Sequence, residues 1–234
     1  MGEIYLVRHG QASFAAADYD ELSPLGHDQS RRLGRWHAEL GLVADGIALG
    51  GLKRHRQTAE AWAAEQPAAP APERWTVDRG FDEYDHREVL LRAHPEAGDL
   101  AGLQRWLAAE AATRGRYQEI FQAAMARWMS GLYDADYWET WPQFQGRCLG
   151  ALEALVASAG ASQRLVVFTS GGTISAIVRT LLDLPPARVV SLNWSLANSG
   201  VTKLFYSGQR LGLGYLNNYS HLERDRDPAL VTYR

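Results

Sequence analysis

Four short apolar runs stand out along the chain, at residues 4–7, 47–49, 75–77 and 165–168. Each has the length of a buried strand, and three of them lead into segments of helical period. After "IYLV" and a polar loop comes "LSPLGHDQSRRLGRWHAEL", where Ser23 suits an N-cap and Pro24 the first helical position. Leu33, Trp36 and Leu40 then recur at helical spacing. After "GIALGGL" comes "KRHRQTAEAWAAEQ", stopped by the proline-rich "PAAPAPE". After "LVVFTS" comes "GGTISAIVRTLLDL", stopped by Pro185 and Pro186. Near the C-terminal end, two strand-like runs flank "SGQR" and predict a hairpin at an edge of the sheet.

Alternation of this kind predicts an α/β fold: a three-layer sandwich with a mainly parallel central sheet flanked by helices. Ligands of such sheets gather beyond the C-terminal ends of the strands. Between residues 88 and 159 the period is helical throughout, with Leu103 and Leu107, and Phe121, Met125 and Trp128, forming core-type stripes. We therefore expect one domain over residues 1–234 with a helical insertion at about 88–141, above the strand ends. The aromatic and acidic stretch "YDADYWETW" reads as a partly buried loop, with a wall of the site mouth as the minority reading.

Composition narrows the class. Hydrophobic residues make up 46% and charged residues 22%, so an ordinary core is possible without staples. A net charge of −3 gives no basic excess for nucleic acid, and no basic cluster flanks an apolar helix as at a membrane surface. Cys148 is the sole cysteine, which excludes an internal disulfide and a cysteine-based zinc site. No leader pattern and no spanning segment is evident, so a cytoplasmic protein is the expectation.

Three strand ends carry residues suited to a phosphoryl group. Arg8, His9 and Gly10 follow the first strand. An arginine can grip two oxygens, a histidine can form a covalent intermediate, and glycine permits close backbone approach. Arg54 opens a helix in "LKRHRQTAEAW", where consecutive cations oppose the helix dipole unless an anion relieves them. Gly171 and Gly172 open a further helix whose free N–H groups suit an anion.

Taken in order, "LVRHGQAS", "LSPLGHDQ", "LKRHRQTA", "FDEYD", "VVFTSGGTI" and "LANSGVTKL" resemble the histidine phosphatase superfamily, the phosphoglycerate-mutase-like phosphohydrolases. The resemblance covers residue 4 to about 66 and 164 to about 222. It implies that His9 is the nucleophile, that Arg8 and Arg54 hold the phosphoryl oxygens, and that Glu83 is the proton donor, with Asp82 and Asp85 as neighbouring alternatives. Gln11 and Ser13 would add hydrogen bonds. No metal or cofactor is called for, because arginines and a helix N-terminus supply the positive charge.

One position departs from the pattern. Where the family shows a second histidine after the strand, this chain has Ser170. A serine donates one hydrogen bond but carries no charge. Hydrogen bonds to charged groups contribute roughly 1.5–3 kcal/mol, so the loss amounts to about 10- to 100-fold in rate. Among the remaining histidines, His86 is the expected auxiliary partner, three residues past Glu83. His55 is set about 100° around its helix from Arg54. His27, His37, His94 and His221 are expected in solvated or capping roles. The function expected is a phosphomonoesterase acting on a small phosphorylated substrate. The alternatives are a phosphomutase and a binding module with little turnover. Oligomeric state and substrate identity are not legible.

Overall fold

A computed structural model of the protein describes residues 1–13, 20–111 and 113–233. Its strands are β1 (Gly2–Arg8), β2 (Gly46–Leu49), β3 (Thr76–Val77), β4 (Arg164–Thr169), β5 (Val201–Ser207) and β6 (Arg210–Asn218). They form one sheet in the order β3-β2-β4-β1-β5-β6. The first four are mutually parallel, while β5 runs antiparallel to β1 and β6 antiparallel to β5. The predicted hairpin is β5–β6, turning at Gly208, whose φ of 56° needs glycine.

The helices are α1 (Pro24–Glu39), α2 (Lys53–Ala63), α3 (His86–Ala93), α4 (Leu100–Glu110), α5 (Arg114–Met129), α6 (Trp141–Ser158), α7 (Gly171–Leu181), α8 (Arg188–Ser195) and the short α9 (Ser220–Glu223). Ser23 caps α1 as predicted, its Oγ accepting from Gly26 N at 3.0 Å. Thr113 caps α5, its side chain accepting from Arg116 N. Thr140 and Gln143 form a capping box at α6.

The central strands are buried on both faces, which explains why they read as unbroken apolar runs. Ile4, Leu6, Leu165 and Val167 join one core, together with residues of α5, α6 and α7. Tyr5, Val7, Val166 and Phe168 join the other, with Leu33 of α1 and Trp62 of α2. β3 is shorter than its apolar run. Trp75 leaves the strand to bury its ring in the second core, donating from Nε1 to Pro70 O at 2.8 Å, while Thr76 and Val77 stay exposed at the edge.

The helical segment after residue 85 packs its aromatics under the loop that carries Glu83. Trp128 lies 5.1 Å, ring to ring, from Tyr84, 5.3 Å from Trp141 and 5.7 Å from Phe144. The stretch "YDADYWETW" is accordingly a partly buried loop. Trp141 belongs to this core and does not line a site mouth, whereas Trp138 is exposed with Arg92 over its ring. No helix among the described residues is long and apolar enough to cross a membrane.

Candidate active site

β1 delivers two buried side chains to the C-terminal edge of the sheet. Arg8 donates from Nη1 to Leu196 O. His9 follows immediately, its N–H bonded to Thr169 O at 2.9 Å, which ties it to the end of β4. Its Nδ1 lies 2.7 Å from Gly10 O, so Nδ1 carries the hydrogen and Nε2 keeps a free lone pair. Burial, then the charges of Arg54 and Arg8, push its pKa well below the usual value. The ring is therefore neutral at ordinary pH, the form a nucleophile needs. Gly10 is fixed by space, since a side chain there would collide with the Gly26 carbonyl of α1.

α2 begins with Lys53 and Arg54, and its N-cap residue Leu52 offers no side-chain acceptor. The crowding of cations is relieved by Asp20. One of its carboxylate oxygens accepts from Lys53 N at 2.9 Å, and the other from Arg54 Nη1 at 2.7 Å. The Nε of Arg54 is buried and makes no hydrogen bond to the described residues. The charge of Arg54 bears on His9, His55, Asp82, Glu83 and His86, which makes it the electrostatic centre of the cluster.

β4 runs into α7 through Ser170, which is fully buried. It occupies the N-cap position without capping, because its Oγ points to His55 Nε2 at 2.7 Å. The glycines after it are fixed by space. A side chain at Gly171 would strike Asn193 and approach Arg8 Nε, and one at Gly172 would strike Glu83 and the Tyr84 ring. The N-terminus of α7 is engaged by Glu83: its Oε2 accepts from Gly172 N at 3.0 Å, and its Oε1 from Tyr84 N at 3.2 Å. Burial raises the Glu83 pKa against the opposing pull of Gly172 N–H, Arg54 and Arg8.

Of the acids in "FDEYD", Asp85 caps α3, accepting from Arg87 N at 2.9 Å and Glu88 N at 3.1 Å. Asp82 accepts from Gly51 N at 2.5 Å and faces His55. Gln11 is engaged inward: its N–H donates to Gln29 Oε1 and its side-chain oxygen accepts from Ser23 Oγ. The Ser13 backbone N–H bonds to Glu21 O at 2.7 Å. His86 opens α3, and burial brings its pKa down to about 4, which leaves it uncharged near neutrality. His37 and His221 are neither solvated nor capping. His37 accepts from Trp62 Nε1 at 3.1 Å, and His221 pairs with Ser199 Oγ at 2.8 Å.

Sequence reasoning missed His55, Asp20 and Asn193. The signal for His55 was present: it shares a helical stripe with Ala59 and Trp62, all buried, so it points toward β4 and not to solvent. Among the described residues, no group of three or more His, Cys, Asp or Glu side chains forms a metal-binding cluster.

The fold recurs in known structures. YhfR of Bacillus stearothermophilus superposes with a TM-score of 0.66 at 18% identity, covering 94% of this chain and 99% of its own. A mycobacterial glucosyl-3-phosphoglycerate phosphatase gives 0.62 at 21% identity, covering 93% of this chain and 99% of its own. Phosphoglycerate mutase of Bacillus anthracis gives 0.64 at 14% identity, covering 97% of each chain. No match is found among curated protein sequences. The family model of the histidine phosphatase superfamily (branch 1) matches residues 4–219, nearly the whole of the chain. With the fold and this match together, the chain belongs to the histidine phosphatase superfamily, branch 1.

Proposed function

We propose that the chain is a phosphomonoesterase acting on a small phosphorylated substrate through a phosphohistidine on His9. The observation that carries this reading is that His9 and Glu83 feel the charges of the same two arginines, Arg8 and Arg54, while burial pushes their pKa values in opposite directions. The histidine is kept neutral and nucleophilic, while burial favours the protonated form of the carboxyl.

In the first step His9 Nε2 attacks phosphorus in line with the leaving oxygen. The P–N bond forms, the P–O bond to the alcohol breaks, and Glu83 gives its proton to the departing oxygen. In the second step water attacks, Glu83 takes its proton, and the P–N bond breaks to release phosphate and free His9. Arg8 and Arg54 hold the non-bridging oxygens and offset the charge that spreads over them. The donor set already supplies positive charge, so the reaction is expected to survive chelation of divalent metals. The test is turnover of p-nitrophenyl phosphate with and without EDTA by wild type and His9→Ala. Activity in the wild type alone, insensitive to EDTA, supports the reading. Turnover undiminished in His9→Ala refutes it.

A further inference from the structure

The serine that replaces the second histidine is backed by a histidine from another element. His55 of α2 is fully buried, its Nε2 lies 2.7 Å from Ser170 Oγ, and its ring centroid lies 5.9 Å from that of His9. On the far side of the ring, Nδ1 faces the Gly50 backbone without an ideal hydrogen bond and sits 4.0 Å from Asp82 Oδ1. Gly50 makes room for this arrangement, since a side chain there would strike both the His55 ring and Asp82. A buried imidazole between a hydroxyl and a carboxylate is a costly feature for packing alone.

We propose that Ser170 and His55 together replace a charged histidine at position 170: Ser170 gives its hydrogen bond to the phosphoryl oxygen, and His55 behind it takes up a proton when the anion arrives. His55 thus acts as a positioning residue, through Ser170. This rests on the phosphatase reading above, because it concerns the same pocket.

The groups that face His55 fix when the proton moves. Burial first, and then the charge of Arg54 beside it on α2, keep the free ring neutral, and His9 at the end of β1 faces it from the other side of the pocket. Asp82, from the loop before α3, pulls the other way. A bound dianion offsets the arginine charge and tips the balance toward the imidazolium. In the free state the hydrogen sits on Nδ1, toward Gly50, and the Ser170 hydroxyl donates to Nε2. On binding, Nε2 gains a proton from solvent and donates to Ser170 Oγ. The hydroxyl hydrogen is then released to turn toward the anion. One proton is taken up, and no heavy-atom bond forms or breaks.

Calorimetry of tungstate binding, in buffers of different ionisation enthalpy at neutral pH, tests this on the full chain. Tungstate is a dianion throughout that range, so proton uptake belongs to the protein. Wild type should take up about one proton. His55→Asn should take up none and bind about ten- to hundredfold more weakly, the worth of a charge-assisted hydrogen bond. Ser170→Ala keeps the ring and removes the link, so it serves equally if the buried His55 variant does not fold. It should likewise lose the uptake. Ser170→His in the His55→Ala background should regain affinity. Wild-type proton uptake and affinity in either single variant overturns the proposal. Trapping of phosphohistidine on His9 is scored separately: its absence from wild type sinks the phosphatase reading whatever the proton count.

Discussion

Glu83 Oε2 accepts from Gly172 N, in the first turn of α7, at 3.0 Å. The helix N-terminus that the sequence offered as an anion seat thus holds the proposed acid beside Arg8 and Arg54. The turn from β4 into α7 therefore fixes the position proposed for the general acid.

Glu83→Gln should lower kcat by about 10²–10⁴-fold for esters of poor leaving groups, and less for p-nitrophenyl phosphate, whose leaving group needs little protonation. The Glu83 pKa is raised, so the acid form persists to higher pH than for an exposed glutamate. Wild-type activity should therefore fall as pH rises through that pKa, and the fall should vanish in the variant. A pH–rate profile unchanged by the substitution would count against Glu83.

Gly172→Ala forces a methyl group against Glu83 and the Tyr84 ring. Trp128 and Phe144 hold the Tyr84 ring from behind, so some stability should be lost with the change, read by thermal unfolding. The acid is displaced, and kcat should drop at least about tenfold with tungstate affinity changed far less. Steady-state kinetics beside tungstate titration separates the two effects.

Asp20 competes with any bound anion for Arg54. Asp20→Asn keeps an acceptor for Lys53 N and removes the competing charge. Oxyanion affinity should rise about two- to tenfold, in keeping with a partly buried ion pair that water still screens. Titration of tungstate against both proteins at matched salt checks this, and weaker binding in the variant would show that Asp20 helps the anion.

His37 and His221 have pKa values lowered by burial to about 4 and about 3. Their unfolded counterparts take up protons near pH 6.5, so the unfolded state binds more protons below that value. Stability should fall as pH drops from about 6.5 toward 4, by up to about 1.4 kcal/mol per pH unit for each histidine. Denaturant unfolding at several pH values checks the slope, which His37→Gln should reduce.

The sheet was legible because β1, β2 and β4 are buried on both faces and read as continuous apolar runs. Arg8, His9 and Arg54 were legible because each stands at or just beyond a strand end, inside a contiguous motif. His55 was not, since a 100° step around a helix from Arg54 gives no reason to face the same pocket. In the fold α2 starts wedged against the end of β4, so Arg54 and His55 are both buried there, on adjacent faces. Asp20 and Asn193 reach the site from segments remote in sequence, which no local period encodes. Trp141 could pass for a mouth residue, because an aromatic-acidic run reads the same whether it meets solvent or a core.

In the proposed reaction His9 carries the phosphoryl group. Rapid quench of wild type with a labelled phosphomonoester, followed by mass analysis of the base-stable, acid-labile adduct, tests it most directly. The wild type should carry one phosphate on His9, His9→Ala should show neither adduct nor turnover, and Glu83→Gln should accumulate the adduct when the leaving group is p-nitrophenol. An adduct elsewhere, or full turnover by His9→Ala, would contradict it.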